Sequence, residues 1–232
     1  MDEPKDDGGA VDETVAAKQH RLFSRGRDTG RIEYFTDAVI AIAMTLLVLD
    51  IRLPDVPDGA SLWAAIGSLW QQYFAYALSF VVIAINWSFH HRRYRVIVRY
   101  DTALVWLNLA FLFFIAIVPF PTSLLADYAP DPAAIILYAG MVAVIGLVGA
   151  LNWAYAYRAG LMSPVVDPAT FRFILGDNLV APVVFGLSIP LVVTLQAAGL
   201  DTAWAIWFWL LNWVAGAVYG RWYGHRPAGD AA

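Results

Sequence analysis

A carboxylate within an apolar run is the residue whose chemistry first demands a partner. Asp37, preceded by the Thr36 hydroxyl, opens the stretch Ala38 to Leu49, which is broken only by Thr45 and ends at Asp50. On a helix beginning near Arg31, Asp37 lies about six residues, or about 9 Å, from the start. Hydrocarbon at that depth penalises an isolated carboxylate, so a polar group from another segment has to meet it. Suitable groups recur further on. Ser79, Ile83, Asn86 and His90 share one face of a second apolar segment, and Asn108 lies in a third. A cluster of Asp37, Asn86, His90 and Asn108 would either satisfy the acid and tune a gate or relay protons.

Other chemistry is sparse. His90 and His91 are adjacent and project in different directions on a helix, with no third ligand in view, so no metal site is expected. The chain has no Cys, which excludes disulfides and thiolate chemistry. It shows no nucleophile–base set, Walker loop, dinucleotide fingerprint or carboxylate pair, so neither an enzyme nor a cofactor is expected. A Thr-Val-Gly-Tyr-Gly filter of backbone carbonyls is absent as well. No nucleic-acid partner is expected.

The elements that must position these groups are membrane spans. With 60% hydrophobic and 15% charged residues, and mean hydropathy of +0.59, the chain lies far from soluble composition. Six apolar segments run over 31–53, 62–91, 102–125, 133–157, 172–196 and 202–222. Between them lie Pro54, Pro57 and Gly59, then Arg92 to Asp101, then Pro130 and Pro132, then Pro164 and Pro168, then Gly199. The second segment exceeds one span, so its start should lie at the interface or the helix should tilt. Val118-Pro119-Phe120-Pro121 should interrupt the third near its outer end. Residues 1–30 read as a disordered cytoplasmic segment without a cleavable signal, 31–222 as the six-helix domain, and 223–232 as a cytoplasmic tail. With the N-terminus inside, all of the fifteen Lys and Arg except Arg52 fall on the cytoplasmic side. The expected fold is therefore an all-α integral membrane protein with six transmembrane helices per subunit and both termini cytoplasmic.

Two further patterns matter. Asn-Trp pairs sit near the cytoplasmic end of each returning helix (Asn86-Trp87, Asn152-Trp153, Asn212-Trp213), while Asp37, Asn108 and Asp177-Asn178 occupy similar depth on outgoing helices. Either three hairpins are related, or Trp and Asn simply favour interfaces and helix contacts. On a wheel of the first helix, Ile42, Leu46 and Leu49 fall on one side with Thr45 at its edge, and Thr36 and Asp37 point away from it. That apolar side could face lipid, the bundle, or another environment.

The residues Arg31, Phe35, Thr36 and Asp37 match R-x-x-x-F-S-D with Thr in place of Ser, and Ala41-Ile42-x-x-Thr45-Leu46-x-x-Leu49 follows. With Tyr76, Ser79, Phe80, Trp87, His90 and His91 in the second helix, and Asn108 and Pro119 to Thr122 in the third, the chain resembles the transmembrane protein 175 family of potassium channels in its prokaryotic form. The resemblance implies a homotetramer of six-helix subunits in the inner membrane, with potassium ions and membrane lipid as partners. It implies that the first helix lines a central pathway, with Ile42 as the tightest hydrophobic ring, Leu46 and Leu49 as further rings, and Thr45 as a hydroxyl layer for potassium preference. Arg31, Phe35, Thr36 and Asp37 would hold the helix and influence gating. Asp50, Asp55 and Asp58 would concentrate cations at the outer mouth. The alternatives are a proton-coupled secondary transporter built on Asp37, Asn86 and His90, and a non-conducting membrane scaffold.

Overall fold

The computed structural model describes residues 30–54 and 61–224, and these are α-helical almost throughout. The chain runs through α1 (Gly30–Leu46), a 3-10 turn (Leu47–Asp50), α2 (Leu62–Ser68), α3 (Trp70–Tyr94), α4 (Thr102–Ile117), α5 (Pro119–Tyr128) and α6 (Pro132–Arg158). It continues through α7 (Pro168–Ala197), α8 (Trp204–Phe208) and α9 (Leu211–Gly224). The 1–30 and 223–232 boundaries, and Asp55 and Asp58, fall wholly or largely outside the described residues.

Helix starts and stops follow from local chemistry. The carboxylates of Asp101, Asp131 and Asp167 accept hydrogen bonds from the N–H of Leu104, Ala133 and Thr170, which satisfies orphan donors at the starts of α4, α6 and α7. Proline follows at the first position of α6 and α7, where no N–H is required. At the other ends, Gly160 (φ 64°) and Gly199 (φ 70°) take up left-handed conformations. Each allows the next residue's N–H to reach back five positions, Leu161 to the Ala156 carbonyl and Leu200 to that of Leu195.

Five helical stretches are long and apolar enough to cross a membrane: Gly30–Asp50, Trp70–Tyr94, Thr102–Tyr128, Pro132–Arg158 and Pro168–Ala197. The expected excess length of the second segment is taken up by a break at Leu69, where α2 ends and α3 begins. The third is interrupted at Val118, where Pro119 and Pro121 supply no N–H to the ladder, and beyond it the Thr122 N–H and hydroxyl both donate to the Val118 carbonyl, at 3.1 and 2.8 Å. The sixth apolar segment differs from the single helix expected. It forms α8 and α9, joined by short-range bonds such as Leu210 N–H to the Trp207 carbonyl, and neither piece spans alone.

Three apolar clusters hold the bundle. One joins α3, α5, α6, α7 and α8 through Val82, Leu125, Tyr138, Phe185 and Ala205, with Trp209 just past the end of α8. Its polar atoms pair internally: Ser79 with Thr122 at 2.7 Å, and the Trp209 indole N–H donating to Ser188 at 2.9 Å. The second fastens α1 to α3, α4 and α6 through Ile40, Ala43, Leu47, Ile83, Phe111 and Ile145. The third closes the arginine-bearing end around Tyr94, Ile97, Leu104 and Leu161, where Ile97 and Met162 form an isolated antiparallel bridge. Glycine is needed at Gly146, because a Cβ there would meet the Pro182 ring at 2.5 Å.

Candidate functional site

α1 has two faces, and packing sets which is which. Thr36, Ile40, Ala43 and Leu47, spaced four, three and four apart, are buried against α3 and α4. On the far side Phe35 is 52% exposed, Ile42 59%, Leu46 42% and Leu49 64%. Thr45 shares this exposed side, and its hydroxyl donates to the Ile42 carbonyl one turn back at 2.8 Å. With its proton engaged there, the Thr45 oxygen turns only acceptor lone pairs outward. Arg31 is exposed at the start of the helix, and Asp50 is half-buried at its end, close to the charges of Arg52 and Asp127.

Beneath the buried face lies a hydrogen-bonded chain across three helices. The Asn108 amide donates to the Thr36 hydroxyl at 2.9 Å. The same side chain's oxygen lies 2.8 Å from His90 Nε2. With the amide oriented this way, His90 must carry its proton on Nε2. The imidazole is clamped between aromatic rings, 4.1 Å from Tyr94 and 5.4 Å from Phe111 by centroid. All three polar residues are buried, so each bond replaces one that water cannot provide.

The expected four-residue cluster is therefore corrected in two places. Asp37 turns about 100° away from Thr36 and accepts a hydrogen bond from the Trp87 indole N–H at 2.8 Å. Asn86 does not reach His90 or Asn108; its amide donates to the Val82 carbonyl of its own helix at 2.9 Å. Thr36 fills the place expected for Asp37. The transporter alternative rested on Asp37, Asn86 and His90 acting together, and these three are not joined. A cavity beside His90, lined also by Arg93, Tyr94 and Asn152, holds only about 10 Å³. That is the lower limit for a single water and leaves no room for a chain of them.

Two residues were missed as site members. Trp87 stands in the sequence as one of the Asn-Trp pairs and as a residue of the family resemblance, with nothing there marking it as the partner of Asp37, although a tryptophan N–H is a donor that a carboxylate can use. Arg93 reads from sequence only as one of the cytoplasmic bases. It is buried and ties α3 to α6, donating to the Gly149 carbonyl at 2.7 Å. Among the described residues no group of three or more metal-ligating side chains occurs.

These features define a polytopic α-helical membrane protein whose first span is anchored on one face and uncovered on the other. A family model described as endosomal/lysosomal potassium channel TMEM175 matches residues 31–119, the part that contains α1, α3, α4 and the whole Thr36–Asn108–His90 chain. The protein is 41% identical over 184 residues to a potassium channel of Streptomyces collinus, covering 75% of this chain and 89% of that one. It is 40% identical over 137 residues to a potassium channel of Chamaesiphon minutus, covering 57% and 68%. It also resembles the crystal structure of a lysosomal potassium-selective channel TMEM175 homolog from Chamaesiphon minutus, with a TM-score of 0.59 and 36% identity over 80% of this chain and 98% of that one. The chain belongs to the TMEM175 family, as a prokaryotic member. The relatives are ion channels, not enzymes.

Proposed function

We propose that the protein is a potassium-permeable cation channel of the cell inner membrane, assembled as a homotetramer around an axis lined by α1. Each subunit contributes six spans, α8 and α9 together forming the last, with both termini cytoplasmic. The observation that carries this reading is the two-faced first helix. In a chain so similar to proteins named potassium channels, burial of Thr36, Ile40, Ala43 and Leu47 leaves Ile42, Leu46 and Leu49 on an uncovered line.

Four copies of Ile42 form the tightest ring, with Leu46 and Leu49 as further rings towards the outside. An apolar ring offers an ion nothing in place of its hydration shell, so when narrow it dewets and blocks. Conduction requires the four helices to move apart until a partly hydrated cation passes. Outward-facing lone pairs of Thr45 give that cation one layer of oxygen and favour the ion that loses water more cheaply. Arg31, Phe35, Thr36 and Asp37 hold the helix against its neighbours. Asp50, Asp55 and Asp58 raise the local cation concentration at the outer mouth, within about 10 Å at physiological salt.

The test is potassium flux into liposomes containing the purified protein. Wild type should pass potassium in preference to sodium. Ile42→Asn should hydrate the ring, raising resting flux and lowering the preference. A folded, oligomeric Ile42→Asn variant whose flux and preference match wild type would remove Ile42 from the pathway.

A further inference from the structure

The groove between α3, α7 and α9 has no role in the ion pathway as described. It encloses about 310 Å³ and is bounded by Ile85 and Arg92 of α3, Asp177 and Ala181 of α7, and Asn212 and Gly216 of α9. Its inner walls are apolar, and its polar mouth lies at the arginine-bearing end, since Arg92 is two turns beyond Ile85 on α3. The Arg92 guanidinium donates to the Ser88 carbonyl at 3.3 Å and lies 4.9 Å above the Phe89 ring, with no carboxylate of the described residues in ion-pair contact. Half-buried Asp177 feels Arg92 and Arg93 as its neighbouring charges without bonding to either. Asn212 of α9 adds an amide to the groove wall. No described side chain of α9 is buried, so this helix borders open surface, and a Cβ at Gly216 would meet nothing within 4 Å.

A guanidinium and a carboxylate that share one groove without closing on each other complement a ligand bearing both charges. We propose that this groove binds an aminophospholipid of the phosphatidylethanolamine class from the leaflet at the arginine-bearing end. The lipid phosphate lies towards Arg92, its ammonium donates to Asp177, and one acyl chain follows Ile85 and Ala181. Phosphatidylglycerol satisfies Arg92 but leaves Asp177 facing an anionic headgroup. Phosphatidylcholine has no N–H to donate.

The experiment exposes the purified, assembled protein in detergent to an equimolar mixture of phosphatidylethanolamine, phosphatidylcholine and phosphatidylglycerol, then identifies retained lipid by native mass spectrometry. Wild type should retain phosphatidylethanolamine over each of the others by about three- to fivefold, the ratio expected of one partly exposed charge pair. Asp177→Asn should abolish the preference over phosphatidylglycerol while still retaining lipid. Gly216→Leu should fill the groove and reduce retention of all three, with gel filtration confirming that the variant remains assembled. Equal retention of the three lipids by wild type, or an Asp177→Asn profile matching wild type, overturns the proposal. So does the absence of retained lipid, which is the result if a second copy of the chain occupies the groove.

Discussion

Replacing Asn108 by Leu removes the middle of the Thr36–Asn108–His90 chain, and the structure indicates how much that should cost. Two hydrogen bonds are lost, at 2.8 and 2.9 Å, both between buried groups. The two partners fare differently. A helical Thr36 hydroxyl can turn to a carbonyl of its own preceding turn. His90 is 4% exposed and held between Tyr94 and Phe111, so its Nε2–H has nowhere else to go. One orphaned buried donor costs about 1–3 kcal/mol. The Thr36–Asn108 bond taken alone should be smaller, about 0.6 kcal/mol and at most about 1.7, as for interhelical hydrogen bonds in other membrane proteins. Unfolding of wild type, Asn108→Leu, Thr36→Val and the double variant in detergent would separate the two quantities. The single Asn108 change should cost more than the coupling, because it also strands His90. Asn86→Leu is the control: its amide bonds only within its own helix, so a change within about 0.5 kcal/mol is expected. If Asn108→Leu costs no more than Asn86→Leu, and the cycle closes to within about 0.3 kcal/mol, the chain does not bind α1 to its neighbours.

Other outcomes follow from the same contacts. Trp87→Phe keeps an aromatic side chain but removes the N–H that meets Asp37 at 2.8 Å; it should destabilise by about 0.5–1.5 kcal/mol, and Trp87→Phe combined with Asp37→Asn should cost less than the two added, as read by thermal unfolding. Gly146→Ala should force the Pro182 ring aside and destabilise by about 1–3 kcal/mol, visible as a lower unfolding midpoint, whereas Gly140→Ala has open space and should be tolerated. Arg93→Gln should loosen α3 from α6 through loss of the bond to the Gly149 carbonyl, measured as faster amide exchange around Gly149. At the exposed start of α7, the Thr170 N–H lowers the Asp167 carboxyl below its ordinary value of 3.8. Its stabilisation is therefore present above that value and lost as pH falls through the lowered one, a dependence that Asp167→Asn should remove.

The membrane character and the Pro- and Gly-marked turns were legible from composition and spacing, because those signals are local. The need for a partner to the Asp37 carboxylate was legible too, since hydrocarbon penalises an unpaired one. Their identity was not. Thr36 and Asp37 are adjacent, so only one can face α4, and a helix apolar all round carries no stripe to reveal its rotation. That choice was made by packing: burial of Ile40, Ala43 and Leu47 brings Thr36 to Asn108 and sends Asp37 to Trp87. A shared helical face and similar depth likewise grouped Asn86 with His90, although only His90 reaches across to α4. The division of the last apolar segment at Trp209 and Leu210 was equally hidden, as no proline or glycine marks it. Sequence assigned these groups a depth along the membrane normal; their direction around each helix axis required the neighbours.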